Sequence, residues 1–228
     1  MNVALFGGTF DPVHSGHLSA AHAAMKCFGL DQIHFVPASL PPHKRNRPLT
    51  AFAHRYAMVA LACSGVSQFI PSLLEGGEQD KGQLNYSILT IRKMAATLSD
   101  GDRLYFIIGA DAFRDLPHWH QPEALLDSCD FIIVSRPGFP IAEIEKVVPE
   151  ELRDRQVPYG GKPSENGKPA DALTRIVLRR THLHLLTTVE ADISSSAIRA
   201  LASEGKPLFG LVPDGVADYI QKLRLFPK

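Results

Sequence analysis

Apolar positions recur along this chain with two different periods, and the switches between them sketch its elements. Val3-Ala4-Leu5-Phe6 is a short apolar run that meets Gly7-Gly8. Leu18, Ala21, Met25 and Phe28 then fall at helical spacing, with the helix opening near Gly16 and Gly29 placed to cap its end. Gln32 to Pro37 reads as a second strand. Strand, helix, strand is a βαβ unit, which implies a parallel sheet and a right-handed crossover.

The remaining pattern extends that plan. Residues 38–50 form a proline-punctuated loop, and Phe52, Tyr56, Val59 and Cys63 mark one face of a helix. Gln68 to Pro71 is a short strand, and Glu75 to Gly82 is a polar, glycine-rich turn. Ile88, Ile91, Ala95 and Leu98 give an amphipathic helix that stops near Gly101. Arg103 to Ile108 and Asp130 to Val134 are nearly unbroken apolar runs, as expected of central parallel strands covered on both faces. Pro122 to Leu126 makes a helical turn between them. From about Phe139 to Thr174 the pattern weakens, leaving a helix over Ile141 to Val148 and an exposed, turn-rich stretch from Pro158 to Gly167. Leu183 to Thr187 is the last strand; Ile193 to Arg199 opens a helix, and Val216, Ile220 and Leu223 belong to a terminal one. With no internal repeat and no linker, the pattern predicts one α/β domain over 1–228. It should be Rossmann-like and doubly wound, with a mostly parallel sheet and a small C-terminal helical part from about 190 to 228.

Composition changes this picture little. The 228 residues are 45% hydrophobic and 21% charged, which suits a globular chain able to bury a full core. Lys+Arg and Asp+Glu are both 24, for a formal net charge of +0. A nucleic-acid or membrane-surface partner would leave a basic excess, so neither is expected. No run approaches the ~20 apolar residues of a membrane helix, and no secretory signal opens the chain. Cys27, Cys63 and Cys129 lack paired spacing, so they read as small hydrophobes rather than a disulfide or zinc set. Together these features predict a cytoplasmic protein.

Chemistry concentrates where strands should end. In open α/β sheets ligands bind beyond the carboxyl ends of the strands. Gly7 to His17 follow the first strand, His43 and Lys44 the second, and Gly109 to Asp111 and Arg136 the later ones. Gly7 and Gly8, lacking Cβ, let the backbone turn and approach a ligand, while the helix start near Gly16 offers N–H groups to a phosphate. His14 and His17 sit at that junction. Taken alone, they would be a helix cap and a core histidine, and a zincin-type metal pair is excluded because it needs i, i+4 spacing with a Glu between. Ser194, Ser195 and Ser196 before Ile198-Arg199 would, taken alone, be an N-cap followed by a surface arginine.

Two motifs change both readings. The string G-x-F-D-P-x-H-x-G-H from Gly8 to His17, directly after a strand, resembles the signature of the HxGH nucleotidyltransferase superfamily, and Ile193 to Arg199 resembles that superfamily's C-terminal I-S-S-S-x-I-R motif. Pro41-Pro42-His43-Lys44, Asn85-Tyr86-Ser87, Ile108 to Asp111, Leu116-Pro117-x-Trp119 and Ser135 to Gly138 are similar, nearly end to end, to the bacterial nicotinate-nucleotide adenylyltransferase family. The resemblance implies transfer of AMP from ATP to nicotinate mononucleotide, giving deamido-NAD and pyrophosphate by direct attack. It implies catalytic roles for His14, His17, Lys44 and Arg199, and ATP contacts from Gly7, Gly8, Thr9, Phe10, His14, His17, Gly109, Asp111, Ser194, Ser196 and Arg199. The mononucleotide would meet His43, Lys44, Tyr86, Ser87, Trp119 and Arg136, with Trp119 stacked on the pyridine ring. Mg²⁺ would ride on the triphosphate rather than in a protein cage.

Asn85 stands where that family would have Thr or Ser, and Pro149 to Arg180 aligns with nothing. Pantetheine-phosphate adenylyltransferase shares both motifs but is shorter and has no place for Leu116-Pro117-x-Trp119. A cytidylyltransferase fits less well, and an aminoacyl-tRNA synthetase would need a K-M-S-K-S-like loop. A catalytically silent nucleotide-binding module would not need both histidines, Lys44 and Arg199. The sequence leaves acid or amide preference open, and leaves room for a homo-oligomer.

Overall fold

Seven strands form one sheet in the order β3-β2-β1-β4-β5-β7-β6. The computed structural model describes residues 1–39, 49–76, 85–135, 141–153, 173–187 and 193–227. The strands are β1 (Asn2–Gly8), β2 (Gln32–Pro37), β3 (Phe69–Pro71), β4 (Arg103–Gly109), β5 (Asp130–Val134), β6 (Leu173–Val177) and β7 (His182–Leu186). Every pairing is parallel except β6 with β7. The helices are α1 (Ser15–Phe28), α2 (Phe52–Cys63), α3 (Ser87–Ala95), α4 (Ala110–Arg114), α5 (Pro122–Leu126), α6 (Ile141–Glu145), α7 (Ser195–Ser203) and α8 (Asp214–Lys222). Among the described residues no helix is long and apolar enough to cross a membrane.

Strand alternation divides the core into two layers, one on each face of the sheet. Ala4, Phe6, Tyr105, Ile107 and Ile132 face a layer completed by α1, α2 and the α7–α8 part of the chain. Val3, Leu5, Phe106, Ile108, Phe131 and Ile133 face the other, completed by α3 and α4. Both faces of β1, β4 and β5 are therefore covered, which is why these strands are apolar at nearly every position. The expected doubly wound α/β architecture is observed, and its helical C-terminal part packs Ile198, Leu208, Val216 and Ile220 into the first layer.

Several local expectations shift. Gly7 and Gly8 finish β1 instead of forming the turn, while α1 opens at Ser15, near Gly16 as expected. Gly29, at φ 57, does cap α1, and its N–H donates to the Met25 carbonyl. The buried stripe of α2 is Arg55, Met58, Val59, Ala62 and Cys63, so Phe52 and Tyr56 stand to one side of it. Glu75, expected in a polar turn, is buried and accepts the Thr90 hydroxyl at 2.6 Å. The strand Leu173–Val177 was not expected, and it edges the sheet antiparallel to β7. Residues 77–82 of the predicted turn and the turn-rich 158–167 stretch lie outside the described residues.

The order of strands sets the site. From β1 the chain winds outward through β2 and β3, then returns to the other side of β1 to place β4 and β5. The switch point is therefore between β1 and β4. At such a point the connections leave the sheet on opposite faces and open a crevice past the strand ends.

Candidate active site

The crevice is there. A cavity of about 860 Å³ lies past the carboxyl ends of β1 and β4, bounded by Gly7, Gly8, Thr9, His14 and His17 on one side. Tyr86, Ser87, Gly109, Asp111 and Trp119 bound its other side. Residues from both core layers thus meet in a single space, in the size range of cofactor sites.

The two glycines are needed for room. A Cβ on Gly7 would stand 3.2 Å from the Phe106 ring, and one on Gly8 would stand 3.1 Å from the Phe10 ring. The chain reverses instead at Phe10, a non-glycine residue at φ 47. Its side chain is 1% exposed and packs against Phe6 and Phe35, with centroids 5.7 and 5.8 Å away. Phe10 therefore turns inward, and only its backbone could reach a nucleotide.

The loop after Phe10 is held by its carbonyls. Arg55, 1% exposed on α2, donates from Nη1 to the carbonyls of Thr9 at 2.8 Å and Ala38 at 2.7 Å, and from Nε to Thr50 at 2.8 Å. Arg199 donates from Nη1 to the Asp11 carbonyl at 2.7 Å, and Ser195 Oγ donates to that of Pro12 at 3.0 Å. Ser15 closes the contact with the C-terminal part: its N–H donates to Leu211 and its hydroxyl to Gly210, both at 2.9 Å. The opening and closing motifs of the sequence are thus in direct contact.

The His14 and His17 rings lie against each other at the start of α1, tilted by 35° with centroids 3.7 Å apart. The His14 backbone N–H donates to His17 Nδ1 at 3.2 Å, so the neutral His17 ring carries its proton on Nε2. Phe10 and Phe6 pack edge-on against that ring. Burial lowers the His14 pKa to about 4 and holds His17 well below its ordinary value, with the neighbouring His14 adding to the effect on His17. At neutral pH the site therefore offers two neutral imidazoles rather than two cations. His14 Nδ1 is buried with no hydrogen-bond partner among the described residues.

The closing motif behaves differently from the opening one. Ser194 caps α7 by accepting the Ala197 N–H at 3.2 Å, and Ser196 Oγ accepts from Arg199 Nη2 at 3.1 Å. Arg199 and Ser195 therefore brace the loop while Ser194 and Ser196 bond within α7, and of that segment only Ile193 borders the cavity among the described residues. Asp111 is at the rim, its carboxylate 89% exposed and 3.5 Å from Arg114. Trp119 is half-buried against the second core layer. His43, Lys44 and Arg136 lie outside the described residues, as do Arg45 and Arg47.

Sequence reasoning missed several neighbours. Tyr86 stacks on His120 with centroids 4.3 Å apart, and His118 and Asp115 also border the cavity. The pairing of two histidines around Trp119 was a readable signal. Arg55 was readable too, as a charge within an otherwise apolar helix stripe. Asp11, 3% exposed, accepts the Thr50 N–H through Oδ2 at 3.3 Å.

Comparison with known proteins bears on this site. A cytidylyltransferase-like family model matches residues 5–201. A Geobacter metallireducens protein named "Probable nicotinate-nucleotide adenylyltransferase" is 36% identical over 227 residues, spanning 99% of this chain and 98% of its own. A Pseudomonas aeruginosa protein of the same name is 34% identical over 225 residues, spanning 98% and 96%. Among solved structures, a Plasmodium falciparum nicotinic acid mononucleotide adenylyltransferase complexed with NaAD superposes with a TM-score of 0.70. It is 20% identical, covers 99% of this chain and 97% of its own, and so supports the fold.

Two outcomes follow from the geometry. Gly8→Ala should destabilise the protein by about 1–3 kcal/mol, because the buried Phe10 ring cannot swing away; a urea melt of the variant measures this. A histidine whose folded pKa is depressed makes the unfolded chain the better proton acceptor. Stability should thus be complete above the ordinary pKa of 6.5 and decline as pH falls toward about 4. Between pH about 7 and about 5 His14 alone should remove up to roughly 2 kcal/mol, and His14→Asn should flatten that part of the slope.

Proposed function

The chain belongs to the cytidylyltransferase-like family, on its nicotinate-nucleotide adenylyltransferase branch, and we propose that it transfers the AMP moiety of ATP to nicotinate mononucleotide. The products are deamido-NAD and pyrophosphate, in NAD biosynthesis. The observation that carries this reading is the single cavity bordered by His14 and His17 on one side and by Tyr86 and Trp119 on the other. A reacting phosphate and a pyridine ring can occupy its two ends at once.

A phosphate oxygen of the mononucleotide attacks the α-phosphorus of ATP, and the bond from that phosphorus to the bridging oxygen of pyrophosphate breaks. Negative charge spreads over the transferring group and the leaving oxygen. His17, with its proton on Nε2, and His14 beside it supply neutral donors to that charge, in a pocket whose aromatic walls limit water. A bound polyphosphate also favours their protonated forms, so each ring can gain positive charge as the anion arrives. No covalent intermediate on the protein is needed; the residues position and stabilise.

Ser194, Ser196, Arg199 and the start of α7 hold the β- and γ-phosphates, and the arginine's remaining N–H groups reach them while its fork keeps Asp11 in place. Thr9, Gly109 and Asp111 meet the adenosine ribose end. Trp119 stacks on the pyridine ring, with Tyr86 and Ser87 beside it. His43, Lys44 and Arg136 answer the phosphate and carboxylate charges. Mg²⁺ would enter as a passenger of ATP. When bound it neutralises triphosphate charge. Cys27, Cys63 and Cys129 are unpaired, in keeping with a cytoplasmic setting.

The deciding experiment is a parallel assay of pyrophosphate release with nicotinate mononucleotide, nicotinamide mononucleotide and phosphopantetheine. Turnover should be fastest with the first; preference for phosphopantetheine would overturn the substrate reading. His17→Ala should lower kcat by about a hundredfold or more with the fold intact by circular dichroism. Trp119→Ala should raise KM for the mononucleotide roughly tenfold while moving KM for ATP much less.

A further inference from the structure

At the opposite edge of the sheet from the nucleotide cavity, β5 and β7 begin with three side chains that can bind metal. The parallel register pairs Phe131 with Leu183 and Ile132 with His184, which sets Asp130 level with His182. Alternation puts Asp130 on the face of Ile132, and His182 and His184 on the face of Leu186. One ligand atom from each of the three lies within 4.8 Å of the others. We propose that Asp130, His182 and His184 bind a divalent transition-metal ion of the zinc, cobalt and nickel class, independently of the nucleotide reaction.

Several observations favour an ion over a simple ion pair. His182 Nδ1 lies 3.2 Å from Asp130 Oδ1, close to the separation of two ligands on one ion at about 2.1 Å. The His182 N–H donates to the same carboxylate at 2.8 Å, which fixes its orientation before any metal arrives. His184 Nδ1 is buried with no hydrogen-bond partner among the described residues, a cost that a further ligand-directed reorientation of the ring could relieve. The ring rests edge-on against Phe28, with centroids 4.9 Å apart.

Two imidazoles and one carboxylate leave open positions and suit a borderline ion better than Mg²⁺ or Ca²⁺, which prefer all-oxygen sites. The side chains of His182 and Asp130 are 36% and 23% exposed, so an ion can enter. Arg175 of β6 opposes His184 in the register and works against a cation, though its side chain is exposed. Since all three ligands stand on adjacent strands, a bound ion would clip β5 to β7.

The catalytic imidazoles could take up metal themselves, so the test begins from a His14→Asn/His17→Asn protein. Titrated with Co²⁺, it should develop a saturable visible band at one equivalent, and Zn²⁺ should displace it. His184→Gln on that background should abolish the band or weaken binding roughly tenfold or more. The half-exposed His182→Gln should do the same with little effect on folding, and in the otherwise unaltered chain it should leave adenylyl transfer intact. Arg175→Gln should tighten binding. A band that survives His182→Gln and His184→Gln unchanged, or no saturable binding in the background protein, overturns the proposal.

Discussion

The loop from Thr9 to His14 is held from outside itself, and the site depends on that hold. Three successive parts of it offer carbonyls to donors from distant segments: Thr9 to Arg55, Asp11 to Arg199, Pro12 to Ser195. A buried carbonyl left without a donor costs about 1–3 kcal/mol, so losing any one of these would loosen more than a single contact. The loop also contains Phe10 in the left-handed region, which costs a side-chain-bearing residue about 1–2 kcal/mol. Full burial of a phenylalanine ring returns about 1.5–3 kcal/mol, enough to offset that turn. The backbone strain and the packing of the first core layer are therefore one arrangement, with Gly8 kept bare to admit the ring.

Holding the loop fixes where the histidines stand, and their surroundings fix how they can act. His17 is oriented by a backbone N–H and by the rings of Phe6 and Phe10, so little rearrangement is left for the moment of reaction. Burial keeps both rings neutral before substrate arrives. A permanently charged pair would bind any polyanion tightly, substrate and product alike. In the proposed reaction, a neutral pair that gains charge as the phosphate gathers it would favour the transition state over either.

Much of this was written in the sequence. Unbroken apolar runs located β4 and β5 because strands covered on both faces have no polar side to interrupt them. The two motifs pointed to the family through their resemblance to its signatures, and the fold brings them into direct contact. What stayed hidden depends on tertiary contact. Arg55 is marked by its charge in an apolar stripe, but the partners that let it be buried, carbonyls of three other segments among them, are set by the fold. The strand Leu173–Val177 carries Thr and Arg, as an edge strand can, and so offered no period to detect. The stack of Tyr86 on His120 joins residues whose nearness is set by α3 and the turn after α4, not by spacing.

Reaction type and substrate choice are separated by the sheet itself. His14, His17 and the pinned loop belong to the layer of α1 and α7, while Tyr86 and Trp119 pack into the layer of α3 and α4. The two layers meet past the ends of β1 and β4, where the chain changes direction. Residues on the α3–α4 side could therefore change without disturbing the carbonyl bonds that orient the histidines. Their additivity should hold as it does for groups without shared partners. A fold wound this way can keep one phosphate chemistry and exchange the molecule that receives it. On the proposed reading, the opening motif serves adenylyl transfer and the opposite wall recognises the pyridine nucleotide.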